Sequence, residues 1–564
     1  MKKKTVKLNY YNYYLIIISL FGNSVFGQSP YNLETVKRKA DSVFSSCEGQ
    51  AGCAVGVMHN NKLVYQNGYG YSNMDLKTSV SPSTVFEVGT LSMHFTAAGI
   101  MLLEDAGKLS LDDEIQKYLP EIPVYKEGKI TLRHLLTHSS GLRDYIVLIM
   151  AAGNPLDIAY DNKKALTSLS KQQALCVEPG STYRFSQSNY TLLAMIIERV
   201  SKQSFPQYMQ EHLFQPAGMS SSLVYNNPNE VIENRATGYD GQSPNYERIL
   251  SDHFLANGSS RIMTNVNDFV KWNRFLNEKR LSNQSLLEKL SRVTTLNNGR
   301  EMTYRFGLEG GQFARHNMIA HNGYGFGFNA MYLHFPDESM SIVAMSNNIN
   351  ISAPGKAYDL AEAILPPIQS EDMPSNLQST HKFVRLSNKK LSAFASDYFS
   401  LNNGYLRRVY LQNDTLRLEV NANTTSTLVP ISKSEFTILN AQSAVNIAFE
   451  KSSDGYQMIV SIDDREPAIY NSYDKASYDS ANLNQFKGSF FSEELGVSYR
   501  IGVEGKNLAT YVGERKLVDY VSAMENNFTS EHDGYITFQK NRKGEITGFV
   551  LSDYSLGSIT FTKS

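Results

Sequence analysis

The residue best placed for covalent chemistry in this chain is Thr90. It follows Phe86-Glu-Val-Gly89 and opens the run Leu91-Ser92-Met93-His94-Phe95-Thr96-Ala-Ala-Gly-Ile-Met-Leu-Leu103. A short extended segment ends at a glycine and a helix begins, carrying Phe95, Ala98, Leu102 and Ala106 along one side until Gly107. A threonine hydroxyl at such a turn attacks a carbonyl when a base stands beside it. The residue three positions on shares its helix face. Here that residue is Met93, which neither takes nor gives a proton. On an ideal helix Ser92 lies about 200° round from Thr90 and His94 about 40°. Ser92 therefore faces away, and His94 is a candidate base for which packing is the simpler role. Ser168-x-x-Lys171 has serine–lysine spacing, but in a polar stretch ahead of Pro179, where a four-letter match carries little weight.

The elements that must hold these residues are legible around them. Leu33, Val36, Ala40, Val43 and Phe44 mark an amphipathic helix. Ala54-Val-Gly-Val-Met58 and Lys62-Leu-Val-Tyr65 read as strands joined by His59-Asn60-Asn61, a tight hairpin because asparagine tolerates positive φ. Ile130-Thr131-Leu-Arg133-His134-Leu-Leu-Thr137-His138-Ser-Ser-Gly141-Leu142 reads as a capped helix ending at Gly141. Two further stretches are Pro179-Gly180-Ser-Thr-Tyr183-Arg-Phe185-Ser186-Gln187-Ser-Asn189-Tyr190 and Ala320-His321-Asn322-Gly323-Tyr324-Gly-Phe-Gly327-Phe328. The second leads into strand-like runs at Ala330–Phe335 and Ser341–Asn348.

Together these stretches resemble the serine β-lactamase and penicillin-binding-protein-like family, in its class C, esterase and D-aminopeptidase branch. The resemblance covers about residues 30 to 365 and implies an α/β (α+β) fold, a mainly antiparallel sheet covered by helices. By that resemblance Thr90 stands at the family's serine, Met93 at its lysine, Phe185 at its tyrosine and Gln187 at its asparagine. His321 and Gly323 keep the His-x-Gly strand, and the backbone N–H groups of Thr90 and Tyr324 would form the oxyanion hole. In such enzymes the serine attacks, the lysine lowers its proton affinity or takes its proton, and the tyrosine relays protons to the leaving group. With four positions altered, the expectation is a pseudoenzyme: a degenerate site that binds a small-molecule or peptide ligand, amide or ester, with little turnover. Cell-wall material is among the candidate ligands. The alternative is a working esterase or peptidase that uses Thr90 or Ser92 with His94 or His321. Tyr183 would need a one-residue loop shift to replace Phe185. The resemblance casts His134 and His138 as buttresses of the fold, and it implies no cofactor.

Composition bounds the rest. The chain has 564 residues, a formal net charge of -1, 19% charged and 41% hydrophobic residues, so nothing marks a nucleic-acid binder. Met1-Lys-Lys-Lys4, the apolar Tyr14–Phe21 and the small residues before Gln28 read as a signal peptide over 1–27. That run is too short to span a bilayer, so a bacterial protein, secreted or periplasmic, is expected with no transmembrane segment after cleavage. Cys47 and Cys53 either close a small disulfide loop, leaving Cys176 unpaired, or remain buried thiols like it; no metal-ligand spacing appears. The domains read as 28–365, a linker over 366–381, and β-modules at 382–475 and 476–564. The modules echo one another: Phe394-x-x-x-Tyr398-Phe399 with Phe486-x-x-x-Phe490-Phe491, and Ile447-Ala-Phe449 with Ile536-Thr-Phe538. They are similar to small lipocalin-like barrels, and a scaffolding or adhesion role through them is a third reading.

Overall fold

The computed structural model describes residues 32–564 except 155–158, 367–382, 401–404, 422–423, 439–444, 454, 463–466 and 531–533. The signal peptide read over 1–27 lies outside the described residues, as does nearly all of the linker read over 366–381.

Strands from both ends of the first domain build one six-stranded antiparallel sheet. Its order is Glu309–Phe313, His316–Gly325, Phe328–Phe335, Met340–Ser346, Cys53–His59 and Lys62–Tyr69. Phe328–Phe335 and Met340–Ser346 are buried at every position, which their near-continuous apolar sequences require of strands covered on both faces. Against one face lie α1 (Leu33–Phe44), through Val36, Ala40 and Phe44, and the helix Ala353–Ile364. The other face carries the main core, with α2 (Met93–Asp105) and the helix Val266–Glu278. The expected hairpin is present: Asn60 and Asn61 have φ of 51° and 58°. Cys47 and Cys53 are disulfide-bonded, Cα atoms 6.2 Å apart, and Cys176 is a free thiol.

α2 buries ten of its 13 residues, all but Leu102, Glu104 and Asp105 near its C-terminal end. Its small residues admit a neighbour closely: a Cβ on Gly99 would lie 2.9 Å from Ile197 of the helix Gln187–Ser201. Thr90 does not begin this helix. It sits in a 3₁₀ turn, Gly89–Ser92, and α2 proper starts at Met93.

The C-terminal region forms two closed eight-stranded barrels, Ser396–Tyr473 and Gly488–Lys563. The sequence echo marks one packing unit made twice. Phe394 stacks on Phe449 in the first barrel with ring centroids 4.6 Å apart, and Phe486 meets Phe538 in the second at 4.6 Å. These rings and Tyr398 or Phe490 fill the interiors with side chains. The core of the second barrel is continuous with that of the first domain, whereas the first barrel keeps a core of its own.

Candidate active site

The site forms where the Gly89–Thr90 turn meets the edge of the sheet. Gly89 has φ +52°, and a Cβ there would fall 2.5 Å from Tyr324 O; a Cβ on Gly323 would fall 1.9 Å from Val88 O. The strand His316–Gly325 therefore approaches the turn backbone to backbone, and only glycine fits at 323. Thr90 is half-buried in this crossing. Its hydroxyl donates to Asn322 O at 3.4 Å and accepts from Tyr324 N–H at 3.4 Å. One of the two expected oxyanion donors is thus turned toward Thr90's own oxygen in a long contact.

Behind Thr90 the expected base position is apolar. Met93 is fully buried, and the Tyr304 hydroxyl oxygen lies 3.7 Å from its sulfur. The same hydroxyl lies 3.2 Å from His321 Nε2, while His321 Nδ1 pairs with Asn322 O. The carbonyl can only accept, so Nδ1 carries the proton and Nε2 accepts from Tyr304. Burial lowers His321 to about 4 and raises Tyr304 well above its ordinary value. Both are neutral at neutral pH, and their hydrogen bond is satisfied internally. Tyr304 carries no motif that would single it out; it lies in a loop pressed onto α2 at Gly307, where a Cβ would sit 2.6 Å from His94 Cα.

Phe185 faces the same wall. Its ring is 4.7 Å from that of His138, which is 4.7 Å from Tyr304, and Tyr183 stands 5.5 Å from Tyr304. Gln187 begins the next helix, donating its N–H to Asp144 Oδ2 at 2.7 Å and accepting from Ser259 Oγ at 3.4 Å. Tyr183, Phe185, Gln187, Thr90 and Tyr324 are each at least partly open to solvent. His134 caps its helix with Thr131, and His138 Nδ1 accepts from Ser186 N–H and Asn189 Nδ2.

The geometry corrects two of the alternative chemical assignments. Ser92 is fully buried and accepts from Ile262 N–H, away from the cleft. His94 is also fully buried, with Nδ1 on Leu91 O and Nε2 accepting from Trp272 Nε1 at 2.8 Å. The ideal-helix angle placed His94 too near Thr90 because the intervening turn is 3₁₀. At about 120° per residue, Met93 eclipses Thr90 and His94 rotates inward. Ser168 Oγ pairs with Tyr160 OH at 2.9 Å, and Lys171 is exposed. Among the described residues no group of three or more His, Cys, Asp or Glu is arranged to hold a metal ion.

Beneath the turn, Glu87 and Arg261 form a fully buried ion pair at 2.7 Å. Arg261 also reaches Ser251 and stacks by Tyr225 and Phe326.

Buried imidazoles make this core acid-sensitive. Burial, chiefly, lowers His94 from 6.5 to about 3 and His321 and His334 to about 4. Below 6.5 the unfolded chain binds protons that the folded chain refuses. Stability should therefore fall as pH drops from about 6.5 toward 4, by roughly 1.4 kcal/mol per pH unit for each imidazole. Glu87 and Asp144, raised by burial, act in the opposite direction. Urea midpoints at pH 7, 6 and 5 check this; a midpoint flat across that range would contradict it.

Residues 40–362 match the family model described as Beta-lactamase. The chain is 27% identical over 416 residues to penicillin-binding protein 4* of Bacillus subtilis, covering 71% of this chain and 90% of that one. It is 26% identical over 338 residues to the D-aminopeptidase of Gluconobacter oxydans, a match spanning 58% of this chain and 62% of the relative. In fold it resembles the octameric penicillin-binding protein homologue from Pyrococcus abyssi, with TM-score 0.51 at 20% identity over 78% of this chain and 99% of that one. Among the described residues no helix is long and apolar enough to cross a membrane. With more than half its length matched and the Thr90 turn seated against the His321–Gly323 strand, this chain belongs to the beta-lactamase family.

Proposed function

We propose that this is an exported, non-hydrolytic member of the family that binds a peptide, amide or ester ligand in the cleft over Thr90. The observation that carries this reading is the buried Met93 thioether, 3.7 Å from the Tyr304 hydroxyl oxygen, at the position where a proton carrier is needed. A carbonyl can still seat against the Tyr324 backbone, but nothing on the Met93 side chain can take a proton from Thr90. The neutral His321–Tyr304 pair is already spent on its own hydrogen bond. The similarity to a D-aminopeptidase makes D-amino acid amides reasonable first probes.

The test uses residues 28–564 with a fluorophosphonate, a β-lactam and a nitrophenyl ester, beside Thr90→Ala. Binding of D-alanine amide and D-phenylalanine amide is followed by calorimetry. No covalent label, no ester hydrolysis and saturable amide binding are expected. Labelling and turnover that vanish in Thr90→Ala would overturn the non-hydrolytic part and make Thr90 a nucleophile. Absence of amide binding would overturn the choice of ligand class.

A further inference from the structure

The segment that carries Phe185 and Gln187 alternates in exposure. Tyr183, Phe185 and Gln187 are half-buried, while Arg184 and Ser186 are 8% and 1% exposed. What they meet leads to the second barrel. The Arg184 guanidinium lies 4.4 Å over the ring of Tyr554, in the turn before the barrel's last strand. Tyr554 OH donates to Tyr183 O at 3.4 Å. Ser186 Oγ donates to Arg143 O at 3.3 Å, and Arg143 is 2% exposed. The Arg143 guanidinium is held by the carboxylate of Glu494, by Gln172 Oε1 at 2.5 Å and by Ser558 O at 2.7 Å. Asp144 N–H donates to Ser555 O at 3.0 Å, and the Asp144 carboxylate receives the Gln187 N–H.

We propose that the second barrel is part of the binding site: Glu494 and the Tyr554–Ser558 turn hold the Tyr183–Gln187 segment from behind and set where Phe185 and Gln187 stand in the cleft. Glu494, Arg143 and Tyr554 are positioning residues, since each acts through Tyr183–Gln187 or Asp144. Every link is a directional contact between the barrel and a residue that bonds the segment. The closeness of the fit is visible nearby, where a Cβ on Gly557 would lie 3.1 Å from Cys176 Sγ. A barrel that undocks releases the segment, so ligand binding and barrel docking become one equilibrium. The cleft's role as a ligand site is taken from the function proposed above; the mechanical coupling is not.

Hydrogen exchange on the full mature chain tests the coupling without any ligand. The amides of Arg184, Ser186 and Gln187 donate to His138 O, His138 Nδ1 and Asp144 Oδ2. They are expected to exchange at least tenfold faster in Glu494→Gln and in Tyr554→Ala, with Cys176 gaining reactivity toward Ellman's reagent and α2 amides unchanged. Arg515→Ala removes a contact at the far end of the interface, to Gly153 O, and is expected to leave the three amides alone. Three results would each overturn the proposal: Cys176 reactive with the three amides still protected, no change in either variant, or an equal rise in Arg515→Ala. Should Glu494→Gln fail to fold, Tyr554→Ala decides alone. Adding Tyr554→Ala to a chain that carries Thr90→Ser, Met93→Lys and Phe185→Tyr should slow its fluorophosphonate labelling. Silence of that triply substituted chain would mean that the geometry over Thr90 prevents attack, and the exchange data would then decide the coupling.

Discussion

A chain carrying Thr90→Ser, Met93→Lys and Phe185→Tyr is expected to react with a fluorophosphonate at least a hundredfold faster than the wild-type chain. The frame that the chemistry needs is in place. Thr90 is seated against the strand, residue 93 lies one 3₁₀ turn behind it, and residue 185 is partly open and linked to Tyr304 through the His138 ring. Loss of catalytic partners that act as a unit typically costs about four to six powers of ten, so recovery of only two would be conspicuous. Tyr304 helps rather than hinders: its hydroxyl is 3.7 Å from the Met93 sulfur, within hydrogen-bond reach of a lysine one bond longer. Met93→Lys alone is expected to do the opposite. It puts an ammonium in a fully buried site without the serine and tyrosine that would share it, and stability should fall by several kcal/mol, on the order of a buried unpaired charge. Intact-mass labelling and urea melts of both variants decide. A triple variant that folds and stays unlabelled would mean that the cleft geometry, not the side chains, prevents attack.

Arg261→Met should be the most damaging single change beneath the cleft, costing about 3–5 kcal/mol, because it strands the Glu87 carboxylate without its cation. Neither partner is more than 1% exposed, and Glu87 Oε1 already lacks a hydrogen bond. The double change Glu87→Leu with Arg261→Met removes both charges and should recover most of the loss. Arg261 also holds φ +75°, which is unfavourable for a residue with a long side chain, and its neighbour Ile262 donates to Ser92 Oγ and accepts from Val88 N–H. The pair thus fixes the backbone that carries Gly89 and Thr90. Urea titrations of the three chains test it; a double variant as unstable as the single would show that the pairing is not the source.

Much of the frame was legible from local pattern. The Asn60-Asn61 turn, the α2 run of small residues and the Phe394 and Phe486 echoes each depend on neighbours within one element or one repeat. The angle assigned to His94 was not legible, because a helix and a 3₁₀ turn share the same hydrophobic spacing over four residues and differ only in pitch. Packing settled it, by burying His94 against Trp272, 178 residues away.

The sequence by itself determined the family frame and the side-chain types at Thr90, Met93, Phe185 and Gln187, which fix which of those four groups can carry a proton. Only the tertiary structure decided what fills the gap and what holds it. Tyr304 meets Met93 across 211 residues, Glu494 meets Arg143 across 351, and Cys47 pairs with Cys53 rather than staying a thiol. The two long-range contacts carry no periodicity or motif along the chain. They arise from close packing of segments whose approach is set by the whole core, and that approach exists only once the chain has folded.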